Sequence, residues 1–378
     1  MTAQARTRES RAPVAHAGNL NTGNGRSTER LDFITAIPQD VRRGSGCLVG
    51  IQTLAKGLVQ LNCDIALVHP ALHLPVFSLE RICFNEGLRF HTFRPGTITV
   101  GFDADAYAIA GRRERPHVAS IKGVIADVLP FERGAARASL TLQAHLEKLH
   151  AKRADLVVTP SRYCAERLDE HYRVRNAVVV PELIDLSHWR DLLRNVASSS
   201  ANGHFTVLCV CRFYARKRVD VLLRAAAMLQ ARIPELEVRI VGGGMEAVRL
   251  RRLWHELHLE ATVQWVGDVT IRQLAAEYQR AHVFCLPSVQ EGFGIVFLEA
   301  MAAEKPIVAT HSAAVPEVVQ HGCLVEPGNA EALAAAIEAL YSDTEMRMRK
   351  GEMGRRVVER FDMKRVAQVF LDTVSRLR

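Results

Sequence analysis

Short apolar runs alternate with helix-length amphipathic segments across most of the chain, and this alternation limits the fold more than any other feature. In the second half the runs fall at 205–210, 237–241, 263–266, 283–286, 306–309 and 323–325. Helical spacing occupies 219–231, 245–257, 270–280, 294–303 and 330–340 between them. Strands that are apolar almost throughout, with helices between, belong in parallel sheets covered on both faces. The first half repeats the scheme more loosely, with runs at 33–37, 65–68, 117–121, 156–159 and 177–180. Leu48, Ile51, Leu54, Ala55 and Leu58 recur there at helical spacing, and 140–150 does the same. The expected fold class is α/β, with two doubly wound, Rossmann-like domains. A chain of 378 residues has room for both. Residues 1–30 are rich in Ser, Thr, Asn, Gly and Arg, and read as a disordered basic arm. The first domain is expected over 31–190 and the second over 203–360. The aperiodic Ser198-Ser199-Ser200 stretch lies between them, and 361–378 forms a last helix.

The formal net charge is +8, of which the first thirty residues supply +3, from five arginines against two glutamates. Such a balance suits phosphates, nucleic acid or an anionic membrane face. No nucleic-acid motif accompanies it, so no nucleic acid is expected as a partner. Eight cysteines are scattered without a C-x-x-C pair, which reads as reduced thiols and no zinc site. No apolar stretch is long enough for a membrane helix, and no apolar core follows the N-terminal arginines as in a secretory signal. The expected location is cytoplasmic, with peripheral contact at the inner membrane face kept as an alternative.

The segment Pro287-Ser288-Val289-Gln290-Glu291-Gly292-Phe293-Gly294 carries an apolar strand into a helix that opens near Gly294. Ligands of doubly wound sheets bind just beyond the carboxyl ends of strands. Glycines let backbone amides approach a ligand, and a helix N-terminus offers N–H groups to a phosphate. Glu291 in the loop can accept sugar hydroxyls, while Glu299 further along could equally be an ordinary helix residue. A second basic turn, Arg212 to Arg218, follows the 205–210 run. Its Arg and Lys can offset charge building on a departing diphosphate, although such a turn is often merely solvated.

Together these segments resemble the signature of glycosyltransferase family 4, the retaining group with the GT-B fold. The matching residues are Glu291, Gly292, Phe293, Gly294, Glu299, Ala300, Met301 and Ala302. Arg212 and Lys217 match the family's Arg and Lys five residues apart, with Cys211 and Arg218 where that segment carries glycines. The resemblance implies a nucleoside-diphosphate sugar as donor. Glu291 would touch its sugar, Glu299 its ribose, and amides near Phe293, Gly294 and Ile295 its diphosphate. Val241-Gly242-Gly243-Gly244 and the turn at Gly267, which would line the base pocket, continue the pattern. Ala313 and Ala314 stand where the family usually has glycines. The likeness is specific from about 209 to 340 and diffuse before that.

In the first half, Gly44 and Gly46 fit the family's glycine loop over the donor, or an ordinary strand-to-helix turn. Lys122 stands where the family often has His, and Asp127 is a rival polar residue facing the cleft. Glu182 and Leu183 replace the family's Asn and Gly at the domain hinge. Phe102-Asp103-Ala104-Asp105 contains D-x-D, read as chance, so neither metal nor other cofactor is expected. On this reading 31–190 is the acceptor side, 203–360 holds the donor, and the 361–378 helix packs back towards the N-terminal domain. The implied reaction is sugar transfer with retention of configuration to a small-molecule, glycan or lipid-linked acceptor. A sugar-nucleotide epimerase of the same fold, or a non-catalytic nucleotide-sugar or nucleic-acid binder, is the alternative.

Overall fold

Apolar strands rich in Val, Ile and Leu form two separate sheets in the computed structural model, which describes residues 14–17 (backbone only), 29–37, 46–71, 77–196 and 203–377. The first sheet holds β1 (Val14–Ala17), β2 (Arg30–Ile34), β3 (Asp64–Pro70), β4 (Ile98–Phe102), β5 (His117–Ser120), β6 (Leu156–Thr159) and β7 (Val178–Val179). Their order is β1-β3-β2-β4-β5-β6-β7, parallel except for β1, which pairs antiparallel with β3. The second holds β8 (Phe205–Val210), β9 (Leu236–Val241), β10 (Val263–Gly267), β11 (Val283–Leu286), β12 (Ile307–Thr310) and β13 (Cys323–Val325). Its order is β10-β9-β8-β11-β12-β13, parallel throughout. Each sheet grows one way from its starting strand and then resumes on the other side, between β2 and β4 and between β8 and β11. The carboxyl ends at such a reversal leave a crevice for a ligand.

In the first sheet, two details differ from the sequence reading. The stretch expected as a disordered arm contains β1, and its last residue, Arg30, already opens β2. Pairing to an open sheet edge gives order to a segment whose composition alone does not suggest it. The strand β4 passed unread. Gly101 interrupts its apolar run, and the backbone needs that glycine: a Cβ there would lie 2.2 Å from the Asp105 carbonyl oxygen.

The chain crosses between the domains at 180–185 and again at 361–363. The two crossings hold each other: Ile184 N–H donates to the Phe361 carbonyl (3.0 Å) and Met363 N–H to the Ile184 carbonyl (2.9 Å). The helix Leu186–Asn195 therefore belongs to the second domain, and the boundary lies about five residues before the expected 190. Leu186, Trp189 and Leu193 enter that domain's core, where Trp189 meets the Tyr278 ring edge-on at 5.7 Å. Its amphipathic face decides where it docks, whereas the serine loop marks only where the linker ends. The helix Met363–Val374 returns to the first domain and buries Met363, Val366, Ala367, Phe370 and Val374 among Leu31, Phe33, Leu54 and Leu58. A Cβ on Gly57 would fall 2.8 Å from that of Ala367, so glycine sets this close helix approach.

Candidate active site

The basic turn follows β8. Residues Ala215–Lys217 make a 3-10 turn, and Arg218 (φ 50°) takes the left-handed conformation before the helix Val219–Leu229. That backbone explains the family's glycine at this place, and Arg218 adopts it while pairing with Asp220 at 3.1 Å. Lys217 Nζ lies 2.5 Å from Glu291 Oε1, with side chains only 14% and 8% exposed. Arg212 instead pairs with Asp268, at 3.0 Å, in a more open setting. Two of the three glycines after β9 press onto this turn. A Cβ on Gly242 would meet the Cys211 oxygen at 2.1 Å, and one on Gly244 the Phe213 nitrogen at 2.7 Å. Gly242 N–H also donates to the Gly267 carbonyl at 2.8 Å, which ties the β10 turn into the same rim.

The glutamate motif follows β11, across the sheet reversal. Gly294 (φ 90°) opens the helix Ile295–Ala302 with no side-chain cap among the described residues. Phe297 N–H donates to the Gly294 carbonyl at 3.0 Å, and the helix start is otherwise of the kind that receives a phosphate. Val289 N–H binds the Arg216 carbonyl (2.9 Å), and Ala314 N–H the Glu291 carbonyl (3.2 Å), so the two loops and the 312–314 turn form one frame. Ala313 holds that turn at φ 51°, where the family has glycine. Phe293 turns its ring away, edge-on to Phe361 at 5.5 Å, leaving only its backbone for a donor. Glu299 is buried and accepts a 2.9 Å hydrogen bond from the Tyr278 hydroxyl. Burial raises its pKa to about 7, and the tyrosine bond partly opposes the rise.

The first domain faces this frame directly. Gly44 lies outside the described residues. Gly46 opens the helix Gly46–Gln60, and a Cβ there would sit 4.0 Å from Ile295 Cδ1. Lys122 presents its carbonyl to Gly292, whose Cβ would lie 2.9 Å away, while its ammonium pairs with Glu182 at 3.0 Å. Asp127 accepts from Gln290 Nε2 (2.9 Å) across the interface and from the Tyr163 hydroxyl (2.8 Å), so it joins the two domains. Asp103 is closer to the site than a chance D-x-D implies, because it accepts the Lys122 N–H at 2.8 Å. Asp105 turns the other way, to Arg81 at 2.8 Å. Among the described residues no acidic, His or Cys cluster could hold a metal.

Lys217, Glu291, Gly294 and Ile295 thus come together, with Gly46 and Lys122 opposite. Arg212 and Gly267 lie on the β10 side, and Glu299 lies beneath. The sequence reading missed Ser161 and Tyr278 and gave Glu317 no role of its own. Ser161 Oγ donates to the Gly292 carbonyl at 2.8 Å. Glu317 accepts the Arg162 and Tyr163 N–H groups at 2.9 and 2.7 Å, capping an opposite-domain helix. Tyr278 acts on Glu299 within its own domain, whereas Ser161 and Glu317 act through partners that the closed arrangement brings from the other domain. The cysteines are all free, and five of the eight are buried while Cys83 is exposed.

A cavity of about 740 Å³ opens elsewhere, lined by Arg190, Arg194, Lys305 and Arg355 near the last turn of helix Ile295–Ala302. Arg194 and Arg355 are paired with Asp191 and Glu304, and Lys305 donates to the Gln279 carbonyl. A helix C-terminus also disfavours an anion, so the sheet crevice remains the candidate site.

This architecture is the GT-B fold: two Rossmann-like domains with a crevice between the carboxyl ends of their strands. Solved structures share it over nearly the whole chain. The sucrose-phosphate synthase of Thermosynechococcus elongatus has a TM-score of 0.77 at 20% identity, covering 92% of this chain and 99% of that one. Anabaena HepE, in complex with UDP and glucose, has a TM-score of 0.67 at 19% identity over 91% and 99%. In sequence, residues 195–357 match the family model described as Glycosyl transferases group 1. The GDP-mannose-dependent alpha-(1-6)-phosphatidylinositol monomannoside mannosyltransferase of Mycobacterium tuberculosis is 35% identical over 160 residues, which is 40% of this chain and 42% of that enzyme. A D-inositol 3-phosphate glycosyltransferase of Pseudarthrobacter chlorophenolicus is 32% identical over 213 residues, 53% of this chain and 50% of that one. The chain thus spans about half the length of these relatives or less. No helix among the described residues is long and apolar enough to cross a membrane.

Proposed function

We propose that the protein transfers a sugar from a nucleoside-diphosphate sugar to an acceptor hydroxyl, with retention of anomeric configuration and without a metal. The observation that carries this reading is the Lys217–Glu291 pair at the sheet reversal, beside the uncapped helix that begins after Gly294. The diphosphate lies against the first-turn amides of Ile295 and its neighbours. Lys217 turns from Glu291 towards a phosphate oxygen, and Arg212 from Asp268 towards the same group. Glu291, released, accepts from the sugar hydroxyls, and Glu299 accepts from the ribose. The acceptor oxygen bonds to the anomeric carbon on the face the diphosphate leaves. The carbon–oxygen bond to phosphate breaks with its electron pair on the diphosphate, and the acceptor proton passes to a phosphate oxygen. The cations and amides matter because they meet charge that grows in the transition state.

A thermal-shift panel of UDP, GDP and ADP with their sugars tests the reading, since a bound ligand raises the melting temperature by mass action. One base is expected to stabilise the protein, and failure of every nucleotide to do so overturns the proposal. With that donor, K217A and R212A should each lower kcat roughly tenfold to a hundredfold, as loss of a charged hydrogen bond of about 1.5–3 kcal/mol implies. Turnover should persist in EDTA. Proton NMR of the product reads the configuration, and runs with and without acceptor separate transfer from epimerisation.

A further inference from the structure

The ion pair between Lys122 and Glu182 is only half used. Glu182 Oε1 takes the Lys122 ammonium at 3.0 Å, and the two side chains are 12% and 5% exposed. The other oxygen, Oε2, is buried and accepts no hydrogen bond among the described residues. Its position is defined by the opposite elements. A Cβ on Gly50 would stand 2.5 Å from Oε2 and 3.4 Å from Ile295 Cδ1. Oε2 therefore lies against the first turns of helix Gly46–Gln60, beside the start of helix Ile295–Ala302. Leaving a carboxylate oxygen open in such a place is unfavourable, and buried polar atoms are nearly always satisfied.

Lys122 cannot serve a phosphate and Glu182 at once. Its ammonium is held by the carboxylate and lies 5.8 Å from the Phe102 ring centre, while its own N–H is fixed by Asp103. The anchored ammonium fixes the carboxylate, and the open oxygen lies against Gly50, close to Ile295 at the start of the facing helix. With the carboxylate charge offset by Lys122, a neutral O–H donor fits that oxygen better than a second cation. Resting on the function proposed above, we infer that Glu182 recognises a hydroxyl of the donor sugar through Oε2, with Lys122 as its positioning residue. This places sugar selection on the 180–185 crossing segment, apart from the residues that hold the diphosphate.

The test compares two ligands on each protein, by titration calorimetry. UDP is paired with UDP-glucose, or GDP with GDP-mannose, whichever base the wild-type protein binds. In E182A the sugar nucleotide should bind about tenfold more weakly, as for one lost charged hydrogen bond, with the free diphosphate within about twofold of wild type. G50A should act in the same direction, because its methyl group displaces the carboxylate without removing the charge. It keeps the test open should E182A fold poorly, as melting curves will tell. E182Q, whose amide oxygen can still accept, should recover part of the loss. Equal weakening of diphosphate and sugar nucleotide, or no change in either E182A or G50A, overturns the inference. A wild-type protein that binds neither ligand removes the proposed function, and this inference with it.

Discussion

Glu299 is the residue whose chemistry the fold alters most plainly at the candidate site. Its carboxyl is buried beside the Tyr278 hydroxyl, with a pKa raised to about 7. A carboxylate accepts ribose hydroxyls more fully than its protonated form does, so nucleoside-diphosphate affinity should rise from pH 6 to pH 8. E299Q should flatten that dependence, and calorimetry at the two pH values checks it. The linkage to stability runs the other way. The folded pKa lies above the usual carboxylate range, so this group's contribution is present in acid and is lost as pH rises towards about 7. The sequence shows Glu291, Glu299, Arg212 and Lys217 because they sit at fixed spacings on two short segments. It shows Glu182 only as a departure from the family pattern. Its partner Lys122 lies sixty residues away, and the contact exists only once β5 and the 180–185 crossing are folded.

At the level of elements, two glycines with the same kind of backbone should respond differently. Gly294 (φ 90°) would place a Cβ 2.6 Å from the Phe297 ring, whereas Gly267 (φ 80°) faces open space. G267A should cost about 1–2 kcal/mol, the strain of a left-handed alanine. G294A should cost more, because steric overlap adds to that strain, and should also weaken diphosphate binding by tilting the helix start. Urea melts and nucleotide titrations compare the two. The elements of the second domain were readable because β8, β11 and β12 are apolar runs buried on both faces, with helix-length segments between them. In the first domain, Gly101 and the short β7 weaken the same signal. Glycine there answers to close backbone contact with 105–106, which no local pattern reveals.

For the whole molecule, closure depends on a small set of contacts between the domains. Glu317 caps the helix Arg162–Tyr172, Ser161 holds the Gly292 carbonyl, and Gln290 reaches Asp127. E317A leaves two amide donors of the opposite domain without their acceptor and should weaken the closed state by about 1–3 kcal/mol. Small-angle scattering should then give a larger radius of gyration than wild type, while the melting of each domain changes little. An unchanged radius would mean that Glu317 does not hold the closed form. Whole-molecule organisation was the least legible level, since the boundary follows the docked face of helix Leu186–Asn195 and not the serine loop.

The return of helix Met363–Val374 has a consequence for how the protein is made. The first domain is translated before the second, yet the seam beside Leu31, Phe33 and Leu54 stays uncovered until residues 363–374 have been made. Maturation of the first half therefore waits on synthesis of that helix, a whole domain later. A nascent chain stalled within the second domain would expose that greasy seam to chaperones and proteases, however well its β-strands had already paired.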